Sequence, residues 1–234
     1  MDNNIYDTID NQVVYEDNHI IVLNKRPSQI VQGDKTGDIC LVDMVKEYLK
    51  VKYNKPGQVF CGLVHRLDRP VSGLVIFAKT DKALSRLSKQ IKDHEIKKTY
   101  WAITKNTPPQ HEGKLVGYIK RNEKQNKSYM VSEGTANSKL AILEYKLIGQ
   151  SGGGYNLIEV YLHTGRHHQI RTQLANMGCP IRGDLKYGYP RSNTDGSISL
   201  HARKLSFIHP VKKELIELEA LPYSESDKLW SVFE

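Results

Sequence analysis

At 234 residues with 39% hydrophobic side chains, the chain is long enough for a substantial core and has the composition of a folded protein, which excludes a disordered one. No apolar run approaches the roughly 20 residues of a membrane span, and the opening MDNNIYDTIDN lacks the basic and apolar regions of a signal peptide, so a cytoplasmic protein is expected. The net charge is +8, and from Lys82 to Met130 twelve basic residues face four acidic ones, a surplus as large as that of the whole chain; a localised positive face of this kind suits a polyanion.

Taken in chain order, Val13–Tyr15 and His19–Leu23 read as short strands around the turn EDN. Leu41–Leu49 reads as a helix with Leu41, Val45 and Leu49 on one face. Gly73–Ala78 is too short and too branched for a helix and is predicted as a buried strand. Thr80 or Asp81 then caps a helix whose Leu84, Leu87 and Ile91 align, while Lys82, Arg86, Lys89 and Lys92 face outward. Strands are expected at Thr99–Thr104, Lys114–Ile119, Leu140–Leu147 and Tyr155–Leu162, the last two joined by the loop GQSGGG. No Gly-Lys-Ser/Thr follows those glycines, so they mark a hairpin turn and not a phosphate loop. His167–Asn176 reads as a helix, Ile198–Ile208 and Glu214–Leu218 as a closing strand pair, and Lys228–Val232 as a short terminal helix. Strands that follow one another directly favour an α+β fold with a largely antiparallel sheet. No linker or repeat divides the chain, so a single domain over 1–234 is expected, with its core at about 13–220. Cys40, Cys61 and Cys179 match neither a disulfide framework nor a zinc site and read as reduced thiols.

Two segments concentrate chemistry. In HRLDRPVSGLVIFAKT, residues 65–80, Asp68 lies between Arg66 and Arg69 at the entrance to the buried strand. Neighbouring positive charge keeps such a carboxylate ionised, and an ionised, positioned carboxylate can act as nucleophile or base. In LHTGRHHQIRTQLANMGCPIRGDLKYG, residues 162–188, Arg171 lies beside the core-spaced Ile170 on the same helix. A buried arginine needs an anion, and Asp68 is the partner inferred for it.

These segments, with KKTYWAI at 97–103, LHARKLSFIHP at 200–210 and the opening VVYEDNHIIVLNKRPSQIVQGDKTGD at 13–38, resemble in content and order the RluA-type RNA pseudouridine synthases. The resemblance implies a pseudouridine synthase fold: a central mixed, mostly antiparallel sheet with flanking helices and a basic catalytic cleft. It also implies isomerisation of uridine in ribosomal or transfer RNA, without metal or other cofactor. By position, Asp68 matches the catalytic aspartate. Tyr100 matches the tyrosine that packs on the target base and is a candidate for moving its C5 proton, and Arg171 matches the arginine that pairs with the aspartate. Arg66 resembles the side chain that fills the stack vacated by the flipped uridine. Arg69 and Arg166 are expected at RNA phosphates or in supporting roles, His168 in RNA binding or base flipping, and Lys120, Arg121 and Lys124 as further RNA contacts. The implied partner is RNA alone, with no membrane or obligate protein partner, and the chain is expected to act as a monomer.

The chain departs from the resemblance at NKRPS, 24–28, where many relatives read NKPAG, and at His167, where threonine or lysine is common, so a local phosphate contact differs. About a dozen residues precede the first expected strand, too few for the extra N-terminal RNA-binding domain of several relatives. Two other readings compete: a catalytically inactive RNA-binding module of the same fold, and a metal-dependent hydrolase using His163, His167, His168 and Asp184. Retention of Asp68, Tyr100 and Arg171 argues against the first. The break at Thr164–Gly165 and the lack of HExxH spacing argue against the second.

Overall fold

The computed structural model describes residues 3–33, 37–225 and 227–233; Asp34, Lys35 and Thr36, within the 13–38 segment of the resemblance, lie outside the described residues. In chain order the elements are α1 (Asn3–Asp10), β1 (Val13–Glu16), β2 (Ile20–Lys25), α2 (Leu41–Lys52), β3 (Gly62–Leu63), β4 (Ser72–Ala78) and α3 (Asp81–Lys92). There follow β5 (Lys97–Thr104), β6 (Glu112–Asn122), β7 (Lys127–Val131), β8 (Lys139–Gln150), β9 (Asn156–Leu162), α4 (Gln169–Asn176), β10 (Leu200–Ile208) and β11 (Leu215–Glu219). Short 3-10 turns form at Leu185–Tyr187 and Trp230–Val232. The fold class is α+β, and the pairs β1–β2, β2–β4, β5–β9, β6–β7, β6–β8 and β8–β9 are antiparallel.

Contacts divide the chain into two compact units, residues 1–96 with 204–221 and residues 97–203 with 222–234. In the first unit β1 pairs with β2, β2 with β4, and β10 with β11. Every residue of β4 is buried, as its unbroken apolar run requires. Its Leu74, Ile76 and Ala78 pack with Ile20, Val22, Ala83, Leu87 and Phe207 in one core cluster. Helix α3 begins where the sequence indicates, because the Thr80 side chain accepts a hydrogen bond from the Ala83 amide at 3.2 Å. Leu41, Val45 and Leu49 are all buried along α2. Helix α1 was not anticipated; its polar sequence hides an inward-facing Ile9.

In the second unit the order is β5-β9-β8-β6-β7. Strand β7 was not anticipated either, because the charged run RNEKQNK looks like a loop. It is instead a hairpin: Asn122 pairs with Lys127, and Asn126 takes the left-handed conformation (φ 45°) that the tight turn requires. Helix α4 starts two residues later than the apolar spacing implies, because His168 at its N-cap is left-handed, with φ 52°. A bridge from Thr104 to Ile181 fixes the segment after α4 against β5. Gly183 follows with φ 85°, and a Cβ there would stand 2.7 Å from the Ser197 carbonyl, so only glycine can deliver the next residue, Asp184, into the interior.

Candidate active site

The first unit carries Asp68 in the loop between β3 and β4. Asp68 is half-buried, and its carbonyl accepts from the Val71 amide at 3.0 Å. At the head of the same loop, His65 Nε2 accepts from the Ile76 amide at 3.3 Å, which ties the loop to the buried strand. The strongest tether is a residue that sequence reasoning passed over. Lys25, the last residue of β2, is completely buried, and its ammonium donates to the carbonyls of Arg26 (2.9 Å), Arg69 (3.1 Å) and Val71 (2.6 Å). A lysine has three N–H donors, and all three are used here. Burial drives its pKa from 10.5 down to about 7, while the Asp68 charge acts in the opposite direction and Arg69 reinforces the drop. Lys25 therefore pins the backbone on the C-terminal side of Asp68 and places a positive charge near its carboxylate. Its signal was present in the sequence as a lysine ending a four-residue apolar run, IIVLNK, but a lysine at a strand end reads as exposed.

The turn at the departure NKRPS forms nonetheless. Ser28 occupies the left-handed region (φ 68°), and its amide donates to the Arg69 carbonyl at 2.9 Å. Arg69 itself pairs with Asp38 at 2.8 Å, both side chains about half exposed, and Arg66 is exposed.

The second unit carries Tyr100 and Arg171. Tyr100 is buried on β5, opposite Val160 of β9. Lys98, on the same strand, is half-buried, and desolvation lowers its pKa. Arg171 is buried on α4 and makes a bidentate pair with buried Asp184: Nε donates to Oδ2 at 2.7 Å and a terminal nitrogen to Oδ1 at 2.8 Å. The sequence reading assigned Asp68 as the anion for Arg171; Asp184, thirteen residues downstream, takes two of its five donors. The guanidinium also lies 5.1 Å from the centre of the Tyr187 ring. Tyr187, another residue the sequence reading did not single out, joins His168 Nδ1 at 2.9 Å and accepts from the Ser128 amide at 2.8 Å. His168 is thus a buried support for this cluster. Burial, with Arg171, His167 and Lys186 nearby, takes its pKa down to about 2, so its ring is neutral.

The other basic residues divide by exposure. Lys120, Arg121 and Lys124 are exposed on β6 and the turn after it, with Arg121 donating to Asn126 at 3.3 Å. Arg166 is half-buried, its Nε donating to the Leu140 carbonyl at 2.8 Å. The four residues of the metal reading have different partners: His163 meets Glu144, His167 meets Ser128, His168 meets Tyr187, and Asp184 meets Arg171. Among the described residues no group of three or more histidines, cysteines and carboxylates stands close enough to hold a metal ion. Among them, too, no helix is long and apolar enough to cross a membrane.

The first unit thus holds a half-buried, tethered carboxylate, and the second a buried tyrosine and a buried arginine. Comparison with known proteins assigns the class. Residues 19–176 match the family model described as RNA pseudouridylate synthase. The ribosomal large subunit pseudouridine synthase D of Zymomonas mobilis is 33% identical over 221 residues, covering 89% of this chain and 68% of that protein. The ribosomal large subunit pseudouridine synthase C of Rickettsia typhi is 36% identical over 219 residues, covering 90% and 68%. The solved structure of human RNA pseudouridylate synthase domain containing 4 has the same fold, with a TM-score of 0.81 at 22% identity, covering 98% of this chain and 94% of that one. The chain belongs to the RNA pseudouridylate synthase family, in its RluA-type branch. It is an isomerase that acts on RNA.

Proposed function

We propose that the chain converts uridine to pseudouridine in large-subunit ribosomal RNA, with Asp68 as the catalytic carboxylate, as a monomer in the cytoplasm and without a cofactor. The observation that carries this reading is the mounting of Asp68: a half-buried carboxylate whose following backbone is held by all three donors of a buried lysine. Holding a reacting group in one pose is a large part of catalysis where no group is transferred from outside. In the isomerisation the bond from ribose C1′ to N1 of uracil breaks and a bond from C1′ to C5 forms; C5 gives up its proton and N1 gains one, with no net oxidation. Asp68 acts at the ribose or the base. Tyr100 packs against the turning ring and is the candidate for moving the C5 proton, and Arg171 is the arginine that the resemblance assigns to support the aspartate. The target base is flipped out of its stack, at a cost of a few kcal/mol, and the exposed Arg66 fills the gap. The choice of ribosomal RNA follows the relatives in Zymomonas and Rickettsia, which are ribosomal large subunit pseudouridine synthases; transfer RNA is the competing target.

The test maps pseudouridine across total RNA in cells lacking the protein, then in the same cells supplied with wild type or Asp68→Asn. Loss of one or a few large-subunit sites, restored by wild type alone, is expected. Restoration by Asp68→Asn would overturn the role of the carboxylate, and loss confined to transfer RNA would overturn the substrate.

A further inference from the structure

The basic β6–β7 hairpin and the N-terminal end of α4 are joined by a run of polar contacts that the reaction itself does not require. At the turn, Asn126 Oδ1 accepts from Arg121 at 3.3 Å and lies 3.1 Å from His167 Nε2. On the other side of the ring, His167 Nδ1 and the His167 carbonyl each lie 2.8 Å from the Ser128 hydroxyl oxygen. The Asn126 oxygen can only accept, so in the neutral ring Nε2 carries the proton and donates to it, and Nδ1 accepts from the Ser128 hydroxyl. Lys186 closes the turn from outside by donating to the Asn126 carbonyl at 3.0 Å. Beneath, the His167 ring stacks on that of His168 at 3.8 Å, and His168 leads through Tyr187 to Arg171 and Asp184. Both ring nitrogens of His167 are therefore directed at the hairpin.

We propose that His167 is a positioning residue that latches the β6–β7 hairpin to the start of α4, and so makes the hairpin a rigid RNA-contacting arm set in register with Arg171. The proposal rests on the reading of the chain as an enzyme acting on structured RNA. Lys120, Arg121 and Lys124 face solvent on this arm, and Lys127 stands over the rings of Tyr129 and Tyr187 at 5.3 and 5.2 Å. Phosphate contacts of this kind set register and orientation on the nucleic acid, while the chemistry happens elsewhere. A hairpin hinged only at its root would spread its cations over many poses, and each RNA encounter would have to order it. The latch removes that cost, because Asn126 and Ser128 bracket the C-terminal side of the turn and both are held by one imidazole. The arm thereby offers one spacing between its cations and Arg171, which favours RNAs whose phosphates match it.

The experiment compares wild type, His167→Ala, Asn126→Ala, the double variant and His167→Gln on an in vitro transcript of large-subunit ribosomal RNA. Kd is read by filter binding, and the pseudouridine rate is read at saturating RNA. His167→Ala and Asn126→Ala are each expected to raise Kd roughly tenfold, as loss of one or two ordering hydrogen bonds implies, and to lower the saturating rate less than threefold. The double variant should match the singles, since both cut the same latch, and His167→Gln, which still reaches Asn126, should recover part of the binding. An unchanged Kd in His167→Ala would overturn the latch, and so would additive effects in the double variant. A fall in rate without a change in Kd would overturn it as well. Failure of wild type to form pseudouridine in this transcript would count against the substrate assignment alone, because Kd reads the latch independently of turnover.

Discussion

Lys25→Met keeps the length of a fully buried side chain and removes its ammonium group. In the native chain burial takes the amine from 10.5 down to about 7, against the pull of the Asp68 charge. At about 1.36 kcal/mol per pKa unit, this gap corresponds to at most about 5 kcal/mol. The three carbonyl acceptors hold the charged form, so the working figure is smaller, about 2–3 kcal/mol. The folded-state pKa lies below the unfolded one, so between the two values the unfolded chain binds more protons. Wild-type stability therefore rises as pH climbs from about 7 toward 10.5. The methionine variant lacks this contribution, and from pH 7 to pH 9 wild type should gain about 1–2 kcal/mol relative to it. At pH 7 the variant loses three carbonyl hydrogen bonds but also sheds the cost of burying a charge, so its stability should fall by less than about 2 kcal/mol. Urea denaturation at pH 7 and pH 9 checks this. Far-UV circular dichroism is the suitable signal, because both tryptophans, Trp101 and Trp230, belong to the other unit. Equal pH dependence in the two proteins would refute the reasoning, since it would mean that the amine titrates alike folded and unfolded.

Three further outcomes are expected. Asp184→Asn leaves the buried Arg171 guanidinium facing a neutral amide and should cost about 3 kcal/mol of stability in urea titrations; a loss under about 1 kcal/mol would show that the pair is not the anchor of α4. Ser28→Gly relieves a left-handed serine while keeping its amide bond to Arg69, and should stabilise by about 0.5–1 kcal/mol; a lowered urea midpoint would contradict this. Replacing Lys120, Arg121 and Lys124 together by glutamate should weaken RNA binding at least about tenfold near 50 mM salt and flatten the dependence of log K on log salt by about two; an unchanged slope would place the RNA footprint elsewhere.

Much of the fold was legible because the relevant signals are local. The spacing of Leu41, Val45 and Leu49 specifies the buried face of α2, the Thr80 hydroxyl specifies the start of α3, and the unbroken run through Ala78 specifies a strand covered on both faces. The hairpin from β6 to β7 was not legible, because the run RNEKQNK that turns it is polar throughout, and its pairing depends on a left-handed asparagine at the turn. The motifs of the family were legible as strings, and with them the class of reaction.

The sequence by itself determined the α+β class and the isomerase family, since periodicity, capping and motif order depend on neighbours along the chain. Only the tertiary structure decided where buried charges find their partners. It gave Arg171 to Asp184, turned His168 inward onto Tyr187, and set the Lys25 ammonium among three carbonyls beside Asp68. The physical reason is that a charge taken out of water must be met within hydrogen-bond distance, and the group that meets it is chosen by distance in space, which separation along the chain does not reveal.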